Sequence, residues 1–396
     1  MKKNNILIIL GLIMGILGGL FLPKLMNELS FLGTIYINLL KFMIIPILFT
    51  TITVTIYNSQ KSKSKIIMKT ILTFIIMFVV TFLMTSLITF LLKPGIGFKF
   101  NPVAWSEQLT KFNLSEILVN LFPSNIGTMI TANAIFPTIL FAVIFGVGAS
   151  NVKEGKKAIE LINSFKTIFN KILEYIMYLT PLGVFSLIGV TIANYGSVIF
   201  GIGFRYIGMA YLCSILTIII VMVLPVWLIA KINPFTYIKK ITKVWLITIT
   251  TCSSAATLPH TIKTCNKDLN IPEKVTDIVV PLGCTIHMCG GAVSFALLGI
   301  FCSQLFGVSI TLPLYLLMMV SATLINMAAP GIPNGGIIIG ATYLSMLGIP
   351  LSFIGFYSGI YKLLDMAYTT LNVTGDITAN VLINHSIKNK KDLLLK

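Results

Sequence analysis

Apolar runs long enough to cross a lipid bilayer follow one another along most of the chain, with lysines gathered between them. Spans are read near 5–23, 31–57, 66–92, 115–149, 164–195, 205–231, 275–304 and 352–384. About 20 apolar residues suffice for one crossing, so the longer runs predict tilt or breaks. Of the 396 residues, 56% are hydrophobic and only 10% charged, whereas a soluble domain keeps roughly a quarter of its residues charged. The fold class expected is an all-α polytopic membrane protein, because lipid leaves every backbone polar group to be satisfied within the chain.

The formal charge of +17 does not argue for nucleic acid, since no basic stretch is interleaved with aromatic residues. It argues for topology instead. Lys2 and Lys3 precede the first span, and Lys61, Lys63, Lys65 and Lys69 follow the second. Lys153, Lys156, Lys157, Lys166 and Lys171 follow the fourth, Lys231, Lys239, Lys240 and Lys243 follow the sixth, and Lys388, Lys390, Lys391 and Lys396 close the chain. The alternate loops carry only Lys24, Lys93, Lys99, Lys111 and Arg205. Positive residues favour the cytoplasmic side, which places both termini there, in a multi-pass protein of the plasma membrane. No small-x-small cleavage site follows the first apolar run, so a retained span is expected rather than a signal peptide. The cysteines at 213, 252, 265, 284, 289 and 302 form no CxxC and read as small packing residues.

Two apolar segments do not read as simple spans. Residues 237–272 carry TCSSAATLP at their centre, and residues 310–349 carry AAPGIPNGG. Proline and small residues there cannot continue a helix, and unwound backbone at membrane depth requires protein or a watery cavity around it. Two re-entrant hairpins, one before and one after the 275–304 span and entering from opposite sides of the membrane, are expected. The fourth stretch holds Pro123, Gly127 and Pro137 and is expected to be several short helices.

The last span carries the chemistry. Asp365 and Asp376 are 11 residues apart, and at about 3.6 residues per turn they return to one helical face, with Thr369 and Asn372 on the same stripe. An ionised carboxylate in hydrocarbon costs at least about 2.5 kcal/mol, so such residues mark an ion, proton or solute site. An aspartyl protease would also need two buried aspartates, but these are separated by about 16 Å of axial rise, too far to share a water. Asp268 and Asp277 flank the seventh span, and His260, His287 and His385 lack ligand spacing. An enzyme is not expected, nor a covalently bound cofactor or a nucleic-acid partner. A channel with re-entrant loops stays open as an alternative, as does a member that binds without transporting.

In order along the chain, SSAATLP, PLGCTIHMCGG, AAPGIPNGG and LLDMAYTTLNVTGD resemble the dicarboxylate/amino acid:cation symporter family, which includes the glutamate transporters. YLTPLGVFSLIG, Tyr178 to Gly189, is similar to the family's fifth helix. The resemblance implies eight transmembrane helices and two hairpins in an inverted-repeat fold, assembled as a homotrimer and working as an elevator. It implies scaffold helices 1–2 in residues 1–60, transport-domain helix 3 in 61–95 and scaffold helices 4–5 in 96–200. The rest of the transport domain then falls in 201–385 and a cytoplasmic tail in 386–396.

The resemblance also assigns roles. Asp365 would pair with a substrate α-amino group, with Thr369 and Asn372 hydrogen-bonding its polar ends. Ser253 and Ser254 would bind the α-carboxylate. Gly331, Ile332, Pro333, Asn334 and Gly335 would close over the substrate. Asp376, with Asn372 and backbone near Gly283, would hold sodium. Gly283, Thr285, Met288, Ala328 and Ala329 would form a further cation site. The chain also departs from the pattern: the family's NMDGT is here His287-Met288-Cys289-Gly290-Gly291, so Gly291 stands where the family has threonine. A thiol is a poor sodium ligand, which predicts fewer coupled sodium ions. His287 reads either as a packing group or as a proton carrier.

Where acidic-substrate members carry an arginine fork for the side-chain carboxylate, this chain has Tyr368, and its single arginine, Arg205, is expected in a loop. The expected activity is symport of a small neutral amino acid with sodium, or with a proton. Lys362, three residues before Asp365, keeps a C4-dicarboxylate or acidic amino acid as the alternative.

Overall fold

Glycines at every fourth position of the first helix set how the amino-terminal elements meet. The computed structural model describes residues 2–61, 65–97, 135–196, 198–326 and 335–394, and every regular element among them is helical. α1 (Lys2–Phe21), α2 (Pro23–Glu28) and α3 (Ser30–Lys61) are followed by α4 (Lys65–Leu92). α5 (Ile135–Ser150), α6 (Gly155–Met177) and α7 (Thr180–Tyr195) come next. Gly11, Gly15 and Gly19 of α1 rest on the main chain of Pro181, Phe185 and Gly189 in α7, where an added Cβ would collide. Small residues at this spacing let two helix backbones approach closely without a water-driven hydrophobic force. α3 packs against α5, α6 and α7.

The second group of helices surrounds the last one. α8 (Val198–Thr217) runs through a wider turn at Ile218–Val223 into α9 (Leu224–Leu228). α10 (Pro234–Thr251) and α11 (Ser254–Lys263) lie against each other as a helical hairpin. α12 (Glu273–Ile286), α13 (Cys289–Phe306), α14 (Leu312–Asn326), α15 (Gly335–Met346) and α16 (Ser352–Leu394) complete the chain. α16 is surrounded by α7, α8, α10, α12, α13 and α15, while α4 packs on α13 rather than on α3. Between Leu364 and Ile383 α16 is buried almost all round.

A ladder ties α10 to α16. Thr370, Thr374 and Thr378, four residues apart on α16, meet Thr248 Oγ1 at 2.7 Å, Trp245 Nε1 at 2.8 Å and the Tyr237 hydroxyl at 2.9 Å. A polar stripe on a buried helix is thereby satisfied by side chains.

By length and composition, Ile66–Leu92, Phe200–Leu228 and Glu273–Phe306 are apolar enough to cross a membrane. Three expectations need correction. The single span read at 164–195 is two helices, bent by 53° after Met177. Pro181 supplies no N–H to an earlier turn, and α6 carries Lys156, Lys157, Lys166 and Lys171. The span read at 275–304 is broken at His287 (φ −112°, ψ 112°) and Met288 (φ −134°, ψ 84°). Arg205 is not in a loop: it lies in α8, where Nη1 donates to the Ile96 carbonyl at 3.0 Å. The last helix runs to Leu394. Of the fourth stretch, only α5 lies within the described residues.

Candidate functional site

The turn of the first hairpin is built for close approach. Cys252 takes a left-handed conformation (φ 48°, ψ 41°) and ends α10. Ser253 is extended, and its Oγ accepts the Ala256 N–H at 3.2 Å, capping α11. A serine in that role satisfies one of the orphan donors of the helix start. Ser254, the next residue, faces a cavity.

The break in the seventh span faces the same space. Gly290 lies against the main chain of Tyr368, where an added Cβ would collide, and its N–H donates to Asn372 Oδ1 at 2.8 Å. The start of α13 is thus docked on α16 by a backbone donor that a continuous helix would have used internally.

The cavity between these elements measures about 50 Å³, enough for a few waters at about 10–15 Å³ each. Its polar wall comprises Ser254, Asn326, Asp365, Thr369 and Asn372. Met288, Phe295, Ile339, Tyr361 and Tyr368 form the apolar side. Thr369 Oγ1 donates to Asp365 Oδ1 at 3.1 Å. The Tyr368 hydroxyl is buried with no hydrogen-bond partner among the described residues, and its ring stands 6.5 Å from that of Tyr361. Asp365 and Asn372 are 6% and 8% exposed, so the charge sits in a largely desolvated place.

Asp376 belongs to a separate, sealed environment. His287 Nδ1 lies 2.9 Å from Asp376 Oδ1, and its Nε2 lies 3.1 Å from Cys289 Sγ. The imidazole stacks on Phe74, with centroids 4.3 Å apart and planes within 11°. Gly283 lies against the Asp376 carboxylate.

The structure therefore brings Ser254, Met288, Asp365, Tyr368, Thr369 and Asn372 around one cavity, with Gly283 and Asp376 one layer away. Ser253 serves as a helix cap beside them. Thr285 is not among them: its hydroxyl turns back to the Pro281 and Leu282 carbonyls, and the residue faces Val54 and Lys166 on the outer side of α12. Ala328, Ala329, Ile332, Pro333 and Asn334 lie outside the described residues, and Gly335 is the first residue of α15.

Sequence reading missed Asn326. It is 2% exposed, its Oδ1 has no partner among the described residues, and it sits over Gly291 in the cavity wall. The signal was available: with glycine in place of threonine at 291, the space above it needs filling, and Asn326 ends the arm that leads there.

Buried carboxylates converging with helix ends and a broken helix inside an all-helical apolar chain define a membrane transporter. Residues 5–386 match the model of the sodium:dicarboxylate symporter family, and the chain belongs to that family. The chain is 26% identical to the proton/glutamate-aspartate symporter of Bacillus subtilis (strain 168), over 95% of this chain and 93% of that protein. It is 27% identical to the proton/sodium-glutamate symport protein of Geobacillus stearothermophilus, with the same two coverages of 95% and 93%. The C4-dicarboxylate transport protein of Bacillus subtilis (strain 168) is 24% identical, over 97% of this chain and 94% of that one.

Proposed function

We propose that this protein is a secondary active symporter that carries a small neutral amino acid together with a cation across the plasma membrane. The observation that carries the reading is the cavity wall at position 368. Tyr368, with Tyr361, Phe295 and Ile339, surrounds the space beside Asp365, and the single arginine bonds the Ile96 carbonyl elsewhere. An acidic side chain would enter that wall with no guanidinium to receive it, and an unpaired buried charge is expensive. A small neutral side chain meets ring faces instead. Its ammonium group meets Asp365, and its carboxylate meets the amino-terminal end of α11 at Ser254.

In this reading α1, α3, α5, α6 and α7 form the scaffold, and α4 with α8 to α16 forms the part that moves as an elevator. The packing of α4 on α13 rather than on α3 supports that division. A homotrimer, both termini in the cytoplasm, and closure by the second hairpin around Ile332 to Gly335 complete the proposal. The coupling ion is sodium, held on the Met288 side of the cavity with carbonyls of Ala328 and Ala329. A proton is the alternative ion.

A second substrate class is favoured by Lys362, one turn before the cavity residue Asp365 on α16. There it would meet a dicarboxylate or acidic amino acid, in keeping with what the relatives' names say they carry. Uptake into proteoliposomes decides between the two classes. L-alanine, L-serine and L-threonine are compared with L-glutamate, L-aspartate and succinate, in sodium and in choline. The neutral amino acids are expected to enter faster, and only where an inward cation gradient drives them. Faster uptake of glutamate or succinate overturns the substrate assignment.

A further inference from the structure

Three of the oxygens expected to hold sodium at Asp376 are already engaged by this chain. His287 Nδ1 lies 2.9 Å from Asp376 Oδ1. The Gly290 N–H donates to Asn372 Oδ1 at 2.8 Å, and the His287 N–H donates to the Gly283 carbonyl at 2.9 Å. A hard cation needs several oxygens converging on a gap of its own size. Here the gap holds an imidazole. His287 and Asp376 are each 1% exposed; Phe74 covers one ring face, and Gly375 lies so close that a Cβ there would strike the ring. The donor set does not fit sodium at this position.

We propose that the His287 ring permanently takes the place assigned to sodium beside Asp376, so that this carboxylate holds a group of the protein rather than a transported ion. The hydrogen bonds around the ring are satisfied with a neutral imidazole. Nδ1–H donates to Asp376, Nε2 accepts from the Cys289 thiol at 3.1 Å, and the Thr81 hydroxyl stands 4.0 Å behind Cys289 Sγ. Among the described residues, the thiols of Cys265, Cys284 and Cys289 lie within electrostatic reach of Asp376, and none of them brings a positive charge. Replacement of an ion by a tethered donor removes one coupled cation from each cycle while keeping the carboxylate buried and paired. The inference rests on the reading of the protein as a cation-coupled symporter, and it moves coupling to the Met288 side of the cavity.

The test is sodium titration of the purified full-length protein, with Tm followed in sodium chloride against choline chloride at constant ionic strength. A ligand that binds only the folded state raises Tm with its concentration. The sodium-specific rise is expected to be equal in wild type and Asp376→Asn. In His287→Asn, whose shorter amide opens the gap and offers an oxygen, a sodium response is expected to appear or to tighten by about tenfold. A wild-type response that Asp376→Asn abolishes overturns the proposal, as does a His287→Asn protein whose response matches wild type. If Asp376→Asn does not fold, the His287→Asn titration decides alone. The titration needs no substrate, so failure of every neutral amino acid in the uptake panel sinks the substrate reading without touching this result.

Discussion

Asp365 and Asp376 share a helix, a face and a residue type, yet they live in opposite surroundings. Asp365 borders a cavity with Thr369 and Ser254 beside it, whereas Asp376 is roofed by an imidazole that leaves no gap. The difference teaches that a carboxylate in an apolar helix does not announce its partner. One opens on a cavity; the other is satisfied from within. What separates them is the residue that arrives from the broken seventh span.

The largest effect that would break this contrast is at the open end. Asp365→Asn is expected to lose about 4 kcal/mol of substrate binding, close to a thousandfold in uptake of L-serine, because the buried ammonium loses its counter-charge. Uptake that survives there but fails in Asp376→Asn would invert the two roles. At the sealed end, His287→Ala is expected to cost about 3 kcal/mol of stability, seen as a lower Tm, since it strands a buried carboxylate. An unchanged Tm would mean that the pair contributes nothing.

Between them, Gly290→Ala drives a Cβ into the Tyr368 main chain and should cost about 2 kcal/mol by overpacking, measured by denaturation in detergent. Thr374→Val removes the acceptor of the Trp245 N–H and should cost about 1 kcal/mol. Lys362→Met sharpens the substrate side of the contrast. Neutral uptake should stay within about twofold of wild type, the scale of a weak surface ion pair. A collapse of uptake would give Lys362 a direct part in binding.

Part of the cavity wall could be named before any coordinates. The acidic stripe and the serine-bearing tip follow from residue type and spacing, while the four ordered motifs were legible as a resemblance to the family to which the chain belongs. The pairing of His287 with Asp376 could not be read, since the two lie 89 positions apart and no periodicity links them. Nor could the break at His287 and Met288: an apolar run announces length, not where a helix yields to a tertiary contact. Arg205 looked like a loop residue because a charge between apolar runs usually is one, yet α8 begins seven residues earlier at Val198. Asn326 went unnoticed because an amide at the end of an apolar arm has no periodic partner in the sequence.

The rungs at Thr370, Thr374 and Thr378 carry a mechanical consequence. An arm fastened to the central rod at three heights must travel with it as one rigid piece, so it makes a poor door.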